Sequence, residues 1–235
     1  HYLENPDPQV LLTLRAKPLP IEIIIRGYIT GSLWRDYTKG IDDQYGFKIP
    51  SGMKKNQKFE NPIITPTTKA EYGQHDEPIS KDEIISGLVD KNIYEKAEKY
   101  ALELFSEGQK WASERGLILV DTKYEFGMIG DELHVIDEIH TPDSSRYWIA
   151  DEYDSRYSSG EKQKMLDKEN IRQWLIEKGF SGEGTPPRLT DDIRISLAEQ
   201  YIELFHILTG VQFEPFVGDV ESRIKQNLEY AGVVN

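Results

Sequence analysis

Cysteine is absent from all 235 residues. That excludes disulfides and thiolate metal sites, and it fits a reducing compartment. The five histidines, His1, His75, His134, His140 and His206, show none of the spacings of a metal site, so zinc chemistry is not expected. No apolar run approaches the ~18 residues of a membrane span, and the first residues carry no signal-peptide pattern. The expectation is a cytoplasmic protein with no membrane partner. Basic residues are in the minority: 28 Lys and Arg stand against 41 Asp and Glu, a net charge of −13. Phosphate-backbone binding wants a basic face, so nucleic acid is not an expected partner. Any anionic ligand must instead be met by cations clustered locally against the global field.

The rest is a globular mixture, with 38% hydrophobic and 29% charged residues. "LPIEIIIRGYITGS" gives a strand at Ile21–Ile25, β-branched and nearly continuous, as expected of a strand buried on both faces. Gly27 and Gly31 punctuate its exit. Residues 40–78 have no sustained period and read as long ordered loops. Ser80 with Glu83 forms a capping-box pattern for a short helix. Apolar residues at 93, 97, 100, 101, 104, 105, 111 and 112 make a helical stripe from Asn92 to Arg115, ended by Gly116. "LILVD" is a buried strand, and "DTKYEFG", "MIGD" and "ELHVIDEI" read as a hairpin. Three more helices are expected: about Asp167 to Lys178, from after Thr190 to before Gly210, and Val220 to Ala231. The class is α+β.

Alternate strand residues share a face, so Asp121, Lys123 and Glu125 point one way. Such a row costs too much to bury dry; it faces water or lines a ligand site. A turn near Gly130 would set Asp137 opposite Lys123, and a one-residue slip would reverse its face. Carboxylates converging on one lysine suit Mg²⁺ held together with nucleotide phosphates. Arg26 and Ser32 flank two glycines at a strand exit, a pattern that fits an anion or an ordinary turn. Lys69, His75 and Asp76 sit in a polar loop that is a site or a solvated surface. Lys168 and Arg172, four apart, share a helix face and repel unless an anion lies between them. In "TPDSSRYW", Pro142 and Asp143 fix a turn, Ser144 and Ser145 offer hydroxyls, Arg146 supplies a fork, and Tyr147 and Trp148 anchor the loop.

The blocks "IEIIIRGYITGS", "TPTTKAEYGQHDE", "GLILVDTKYEFG", "VIDEIHTPDSSRYW" and "LDKENIRQWL" together resemble the SAICAR synthetase family of purine biosynthesis, its yeast-like branch more than the short bacterial enzymes. The resemblance implies a two-lobed α+β fold with an antiparallel sheet and packed helices. It implies an ATP-dependent ligase joining the carboxylate of the aminoimidazole ribotide CAIR to the amine of L-aspartate, giving SAICAR, ADP and phosphate through an acyl phosphate. ATP would lie at Lys69, Lys123, Glu125 and Asp137, with Mg²⁺ on Glu125 and Asp137. CAIR would lie against Arg26, Ser32, Asp76, Asp121, Asp143, Arg146, Lys168 and Arg172, with Lys123 and Asp121 as the catalytic residues. The partners implied are these small molecules; self-association is left open.

The implied layout is a remnant of an N-terminal lobe or a connector over 1–20, a catalytic core over 21–210 and a helical extension over 211–235. The family's Gly-Lys-Val-Arg-like and Asp-Arg-Ile-Ser-like segments do not occur in these residues. The expectation is that the N-terminal ATP lobe is largely missing and that the 235-residue chain alone has little ligase activity. The alternatives are a small-molecule kinase on the same scaffold and an inactive fragment or binding module.

Overall fold

The computed structural model describes residues 1–70, 76–166, 168–180, 182 and 184–234. Along them run β1 (Tyr2–Asp7), β2 (Val10–Thr13), β3 (Lys17–Pro18), β4 (Ile21–Tyr28), α1 (Gly31–Thr38), β5 (Lys58–Ile64) and β6 (Thr67–Thr68). Then come α2 (Lys81–Glu83), extended by a π-helical turn over Ile84–Leu88, α3 (Lys91–Ser113), β7 (Leu117–Ile129), β8 (Glu132–Ile136) and β9 (Ser145–Ile149). The helices α4 (Ala150–Ser159), α5 (Glu169–Glu177), α6 (Asp191–Thr209) and α7 (Val220–Tyr230) complete the chain.

The 13-residue β7 is the spine of an antiparallel sheet. Its first half is flanked by β9 and β4, and its second half by β8 and β3. On the far side β4 also pairs with β5 and β6. Ile21, Ile23 and Ile25 of β4 and Tyr124 and Phe126 of β7 join Tyr94, Ala97, Ala101 and Phe105 of α3 in the main core. Full burial of one such side chain stabilises the fold by roughly 1.5–3 kcal/mol. The opposite face of the same two strands presents Glu22, Arg26, Asp121, Lys123 and Glu125. The expectation that Ile21–Ile25 is buried on both faces is therefore corrected: Glu22 and Ile24 are only half-buried, because that face of the strand lines the charged hollow rather than the apolar core.

A bulge explains how one strand serves both a core and a charged face. Leu117 and Leu119 lie in the core, yet Asp121 and Lys123, of the same parity, do not. Leu119 pairs with Tyr147 and Asp121 with Arg146, so Val120 is an extra residue on β7. The insertion re-aims everything after it. Val120 itself packs with Tyr28, Trp148 and Met165.

The capping box is present: Ser80 Oγ accepts from Glu83 N at 3.3 Å, and Glu83 Oε2 accepts from Ser80 N at 2.9 Å. α3, α6 and α7 fall where periodicity places them, and α5 begins at Glu169; Asp167 lies outside the described residues. Residues 40–78 are not all loop, because β5 and β6 fall within them. Both lean on β4 and carry no alternation of their own, and β5 contains Pro62, which is tolerated at an edge. Neither α1 nor α4 is anticipated by the sequence, and Gly27 lies inside β4 rather than at its exit. The hairpin β1–β2 forms its own small sheet, and α7 packs back on it: Arg223 donates twice to Asp7 at 3.0 Å, and Asn227 donates to Asp7 at 2.7 Å.

Candidate functional site

Arg26, Asp121 and Arg146 form one row across β4, β7 and β9, each facing the next in register. Arg26 Nη1 is 3.5 Å from Asp121 Oδ2, and Arg146 Nη1 donates to the same oxygen. All three are buried. Arg26 also donates to Thr65 Oγ1 at 2.8 Å and to Ser32 Oγ at 3.3 Å. Burial pushes the Arg26 guanidinium below its ordinary value, and Asp121 opposes the shift. From α5, Glu169 reaches Arg146 at 3.0 Å, Arg172 at 3.3 Å and Arg35 at 4.0 Å. Burial alone would raise the Glu169 carboxyl, but Arg146, Arg172 and Arg35 together outweigh it and the net shift is downward. Lys168 pairs with Asp143 at 2.9 Å. Arg26, Ser32, Asp121, Asp143, Arg146, Lys168, Glu169 and Arg172 surround a hollow of ≈ 200 Å³.

Beside this hollow lies a second charge cluster. Lys123 Nζ is 2.5 Å from Glu125 Oε1, 3.1 Å from Glu22 Oε1 and 3.5 Å from Asp137 Oδ2. Lys69 bonds the other oxygen of Glu125. Burial would raise Glu125, but the bonds from Lys123 and Lys69 hold it down at about 2. Burial alone would lower Lys123, yet its bond to Glu125 and the charge of Glu22 raise it overall. Glu22 is raised, because burial outweighs the opposing charge of Lys123. Lys69, Glu125 and Asp137, with Thr13–Ala16 and Ile136, line a second hollow of ≈ 380 Å³.

The hairpin register corrects one expectation. Glu125 pairs with Ile136, so Lys123 has no direct partner in Asp137. In a regular strand Asp137 would share the core face with Tyr124. Its backbone instead takes the left-handed region, φ 64°, and its carboxylate returns to Lys123. A non-glycine residue held there marks a turn or a functional constraint.

Among the described residues no cluster of three or more His, Asp or Glu side chains forms a self-sufficient metal site. Glu125 and Asp137 supply two hard oxygen ligands, with Glu125 ionised at any physiological pH. That pair fits Mg²⁺, which takes one or two carboxylates and completes its shell with phosphate and water.

Arg26, Ser32, Asp121, Lys123, Asp143, Arg146, Lys168 and Arg172 thus line the first hollow, and Lys69, Glu125 and Asp137 the second. Asp76 lines neither; its Oδ1 accepts from the Ala70 amide at 2.8 Å. His75 lies outside the described residues. Sequence reasoning missed Glu169 and Glu22. The chain itself supplies the anions that Lys168 and Arg172 call for: Lys168 goes to Asp143 and Arg172 to Glu169. The signal for Glu22 is a single carboxylate inside the apolar run "IEIII".

The loop before β9 is pinned from behind. Tyr124 Oη meets His140 Nε2 at 2.5 Å, and Tyr147 Oη donates to the His140 carbonyl at 2.8 Å. The imidazole lies against Gly108 of α3, where a Cβ would come within 2.3 Å of His140 Cε1. Burial pushes His140 down to about 4. Tyr147 and Trp148 anchor the loop in the interior, as the sequence suggests.

The α+β frame that carries this charged sheet face is that of the solved SAICAR synthases, among them SAICAR-synthase from Saccharomyces cerevisiae complexed with SAICAR. That chain is 37% identical, superposes with a TM-score of 0.72, and the match covers 87% of this chain and 65% of that one. The family model for SAICAR synthetase matches residues 1–188. The phosphoribosylaminoimidazole-succinocarboxamide synthase of Bacteroides fragilis is 51% identical over 97% of this chain and 72% of the relative; that of Cytophaga hutchinsonii is 47% identical over 96% and 74%. The chain belongs to the SAICAR synthetase family, ATP-dependent ligases of purine biosynthesis. The alignments to these relatives cover 96–97% of the chain and so run into the tail beyond Gly210, past the end of the family model at residue 188. Neither the kinase nor the binding module draws support from these matches.

Proposed function

We propose that this chain carries the CAIR site and the phosphate and Mg²⁺ ligands of a cytoplasmic SAICAR synthase, which condenses CAIR with L-aspartate while ATP becomes ADP and phosphate. The observation that carries the reading is Lys123: it lines the first hollow and bonds Glu125 and Asp137 of the second. A carboxylate in the first hollow and a phosphate in the second would meet at its ammonium group.

In this reading Arg26, Ser32, Arg146, Lys168 and Arg172 hold the phosphate-bearing substrate, with Asp121 and Asp143 fixing those cations. Lys69 and Lys123 face the nucleotide phosphates. Mg²⁺ on Glu125 and Asp137 would neutralise charge on the transferring phosphoryl group. The CAIR carboxylate oxygen takes the γ-phosphoryl group and ADP leaves; the aspartate amine, stripped of its extra proton, then attacks the carbonyl and phosphate leaves. The chain's work is to position mutually repelling anions and stabilise developing charge. A nucleophilic side chain has no part in this scheme.

The test measures SAICAR formation by the whole enzyme and, by calorimetry, CAIR binding to the purified protein. Arg26→Ala and Arg172→Ala should weaken CAIR binding about tenfold or more, and Lys123→Met should abolish turnover while CAIR still binds. CAIR binding untouched by both arginine changes would refute the assignment of the first hollow.

A further inference from the structure

Glu169 has no part in the scheme above, yet it is the most connected carboxylate in the first hollow. It is buried and belongs to the first turn of α5, where the helix dipole favours negative charge. Its carboxylate contacts three guanidinium groups from three elements: Arg146 of β9, Arg172 of α5 and Arg35 of α1. Arg146 is seated tightly. One nitrogen goes to Asp121 and another to Glu169, and a Cβ at Gly31 would come within 2.7 Å of its Nη2.

We infer that Glu169 is a positioning residue of the substrate hollow: it holds Arg146 and Arg172 in one fixed cationic wall that receives a phosphate-bearing substrate, while Arg35, 4.0 Å away, braces its carboxylate from outside that hollow. The inference rests on the reading of this hollow as the CAIR site. Three guanidiniums this close repel one another, and a buried carboxylate between them removes that repulsion without cancelling the wall. The charged side chains that line the hollow, Arg26, Lys123, Arg146, Lys168 and Arg172 against Asp121, Asp143 and Glu169, still leave an excess of two positive charges, which matches a phosphate dianion. Glu169 also ties α5, and with it Lys168 and Arg172, to the sheet. Removing it would let the helix and its cations drift from the row across β4, β7 and β9.

The readout is a split between kinetic constants. Glu169→Ala should raise the KM for CAIR about tenfold or more, leaving the KM for ATP within about twofold. Glu169→Gln keeps an oxygen that accepts from Arg146, so it should recover part of that loss. A merely structural role would lower the Tm and the fraction of active enzyme with the CAIR KM unchanged, and that result overturns the inference. If the alanine variant does not fold, the near-isosteric glutamine variant decides: a raised CAIR KM supports the inference and an unchanged one overturns it. Arg26→Ala runs in parallel. If it raises the CAIR KM while both Glu169 variants leave it alone, only the positioning role falls. If it too leaves the KM alone, the hollow is not the CAIR site and both readings fall.

Discussion

Arg26 lies directly across the sheet from Asp121, its Nη1 3.5 Å from Oδ2, and Arg146 takes the same oxygen from the other strand. One buried carboxylate thus serves two buried guanidiniums. A buried ion pair adds little net stability over an apolar replacement, but removing one member leaves an uncompensated charge. Asp121→Asn keeps the shape and removes the charge between two cations. The expected loss is about 3 kcal/mol, read as a lower urea midpoint at unchanged m-value. Thr65 and Glu169 still hold the arginines in part, so the variant should fold. A midpoint within error of the parent protein would show that the row is not a structural element.

Asp137 offers a test of the metal assignment separate from the substrate hollow. Its side chain is about half exposed and meets the edge of the Lys123 cluster at 3.5 Å. Asp137→Asn should therefore leave the Tm nearly unchanged. It removes one of two anionic ligands proposed for Mg²⁺, so half-maximal turnover should need about tenfold more Mg²⁺, with the KM for CAIR unaffected. A Mg²⁺ titration of ADP release checks this, and an unshifted curve would remove Asp137 from the metal site.

Legibility followed periodicity. α3 and α7 carry helical stripes and capping residues, Asp90 and Asp219, and both fall within a few residues of expectation. The elements that escaped lean on neighbours: β5 and β6 owe their existence to the edges of β4, and α1 starts only because Gly31 takes a positive φ beneath Arg146. The row Asp121, Lys123, Glu125 was readable as one face from alternation alone. What alternation could not reveal was the Val120 bulge that puts Leu119 in the core and Asp121 in the site, or the backbone twist that returns Asp137 to Lys123 despite a one-residue register difference. Glu169 was missed because a glutamate in a charged helix start looks solvated; its burial depends on three arginines from distant segments.

The tail of the chain yields a prediction about dynamics. Arg223 grips Asp7 with two bonds, and Asn227 adds a third. The Asp7 carboxyl is held below its ordinary value, chiefly by the bond from Arg223. Arg223→Ala should undock α7 from the β1–β2 hairpin and expose the connecting segment 211–219, which is largely open already. Limited proteolysis should then cut that segment several-fold faster, with the remaining fragment as resistant as before. Equal cleavage rates would mean that α7 is held by other contacts.

His140 should leave a signature in the pH dependence of stability. Its imidazole is pinned between Tyr124 and Gly108, and burial lowers its pKa from the ordinary 6.5 to about 4. The folded state binds a proton less readily than the unfolded chain. The stability associated with the neutral ring is therefore intact above pH ~6.5 and lost progressively as pH falls from there towards 4, by up to roughly 3 kcal/mol. Glu125 acts in a lower window: with a folded value of about 2 against 4.5, its contribution is intact above 4.5 and lost between there and 2. Asparagine tolerates the left-handed backbone at this position, φ 58°, and does not titrate. His140→Asn should flatten the unfolding free energy between pH 6.5 and 4.5 while leaving the steeper acid limb in place. Urea denaturation at half-unit steps of pH measures both limbs, and an upper limb as steep in the variant as in the parent would show that another group titrates there.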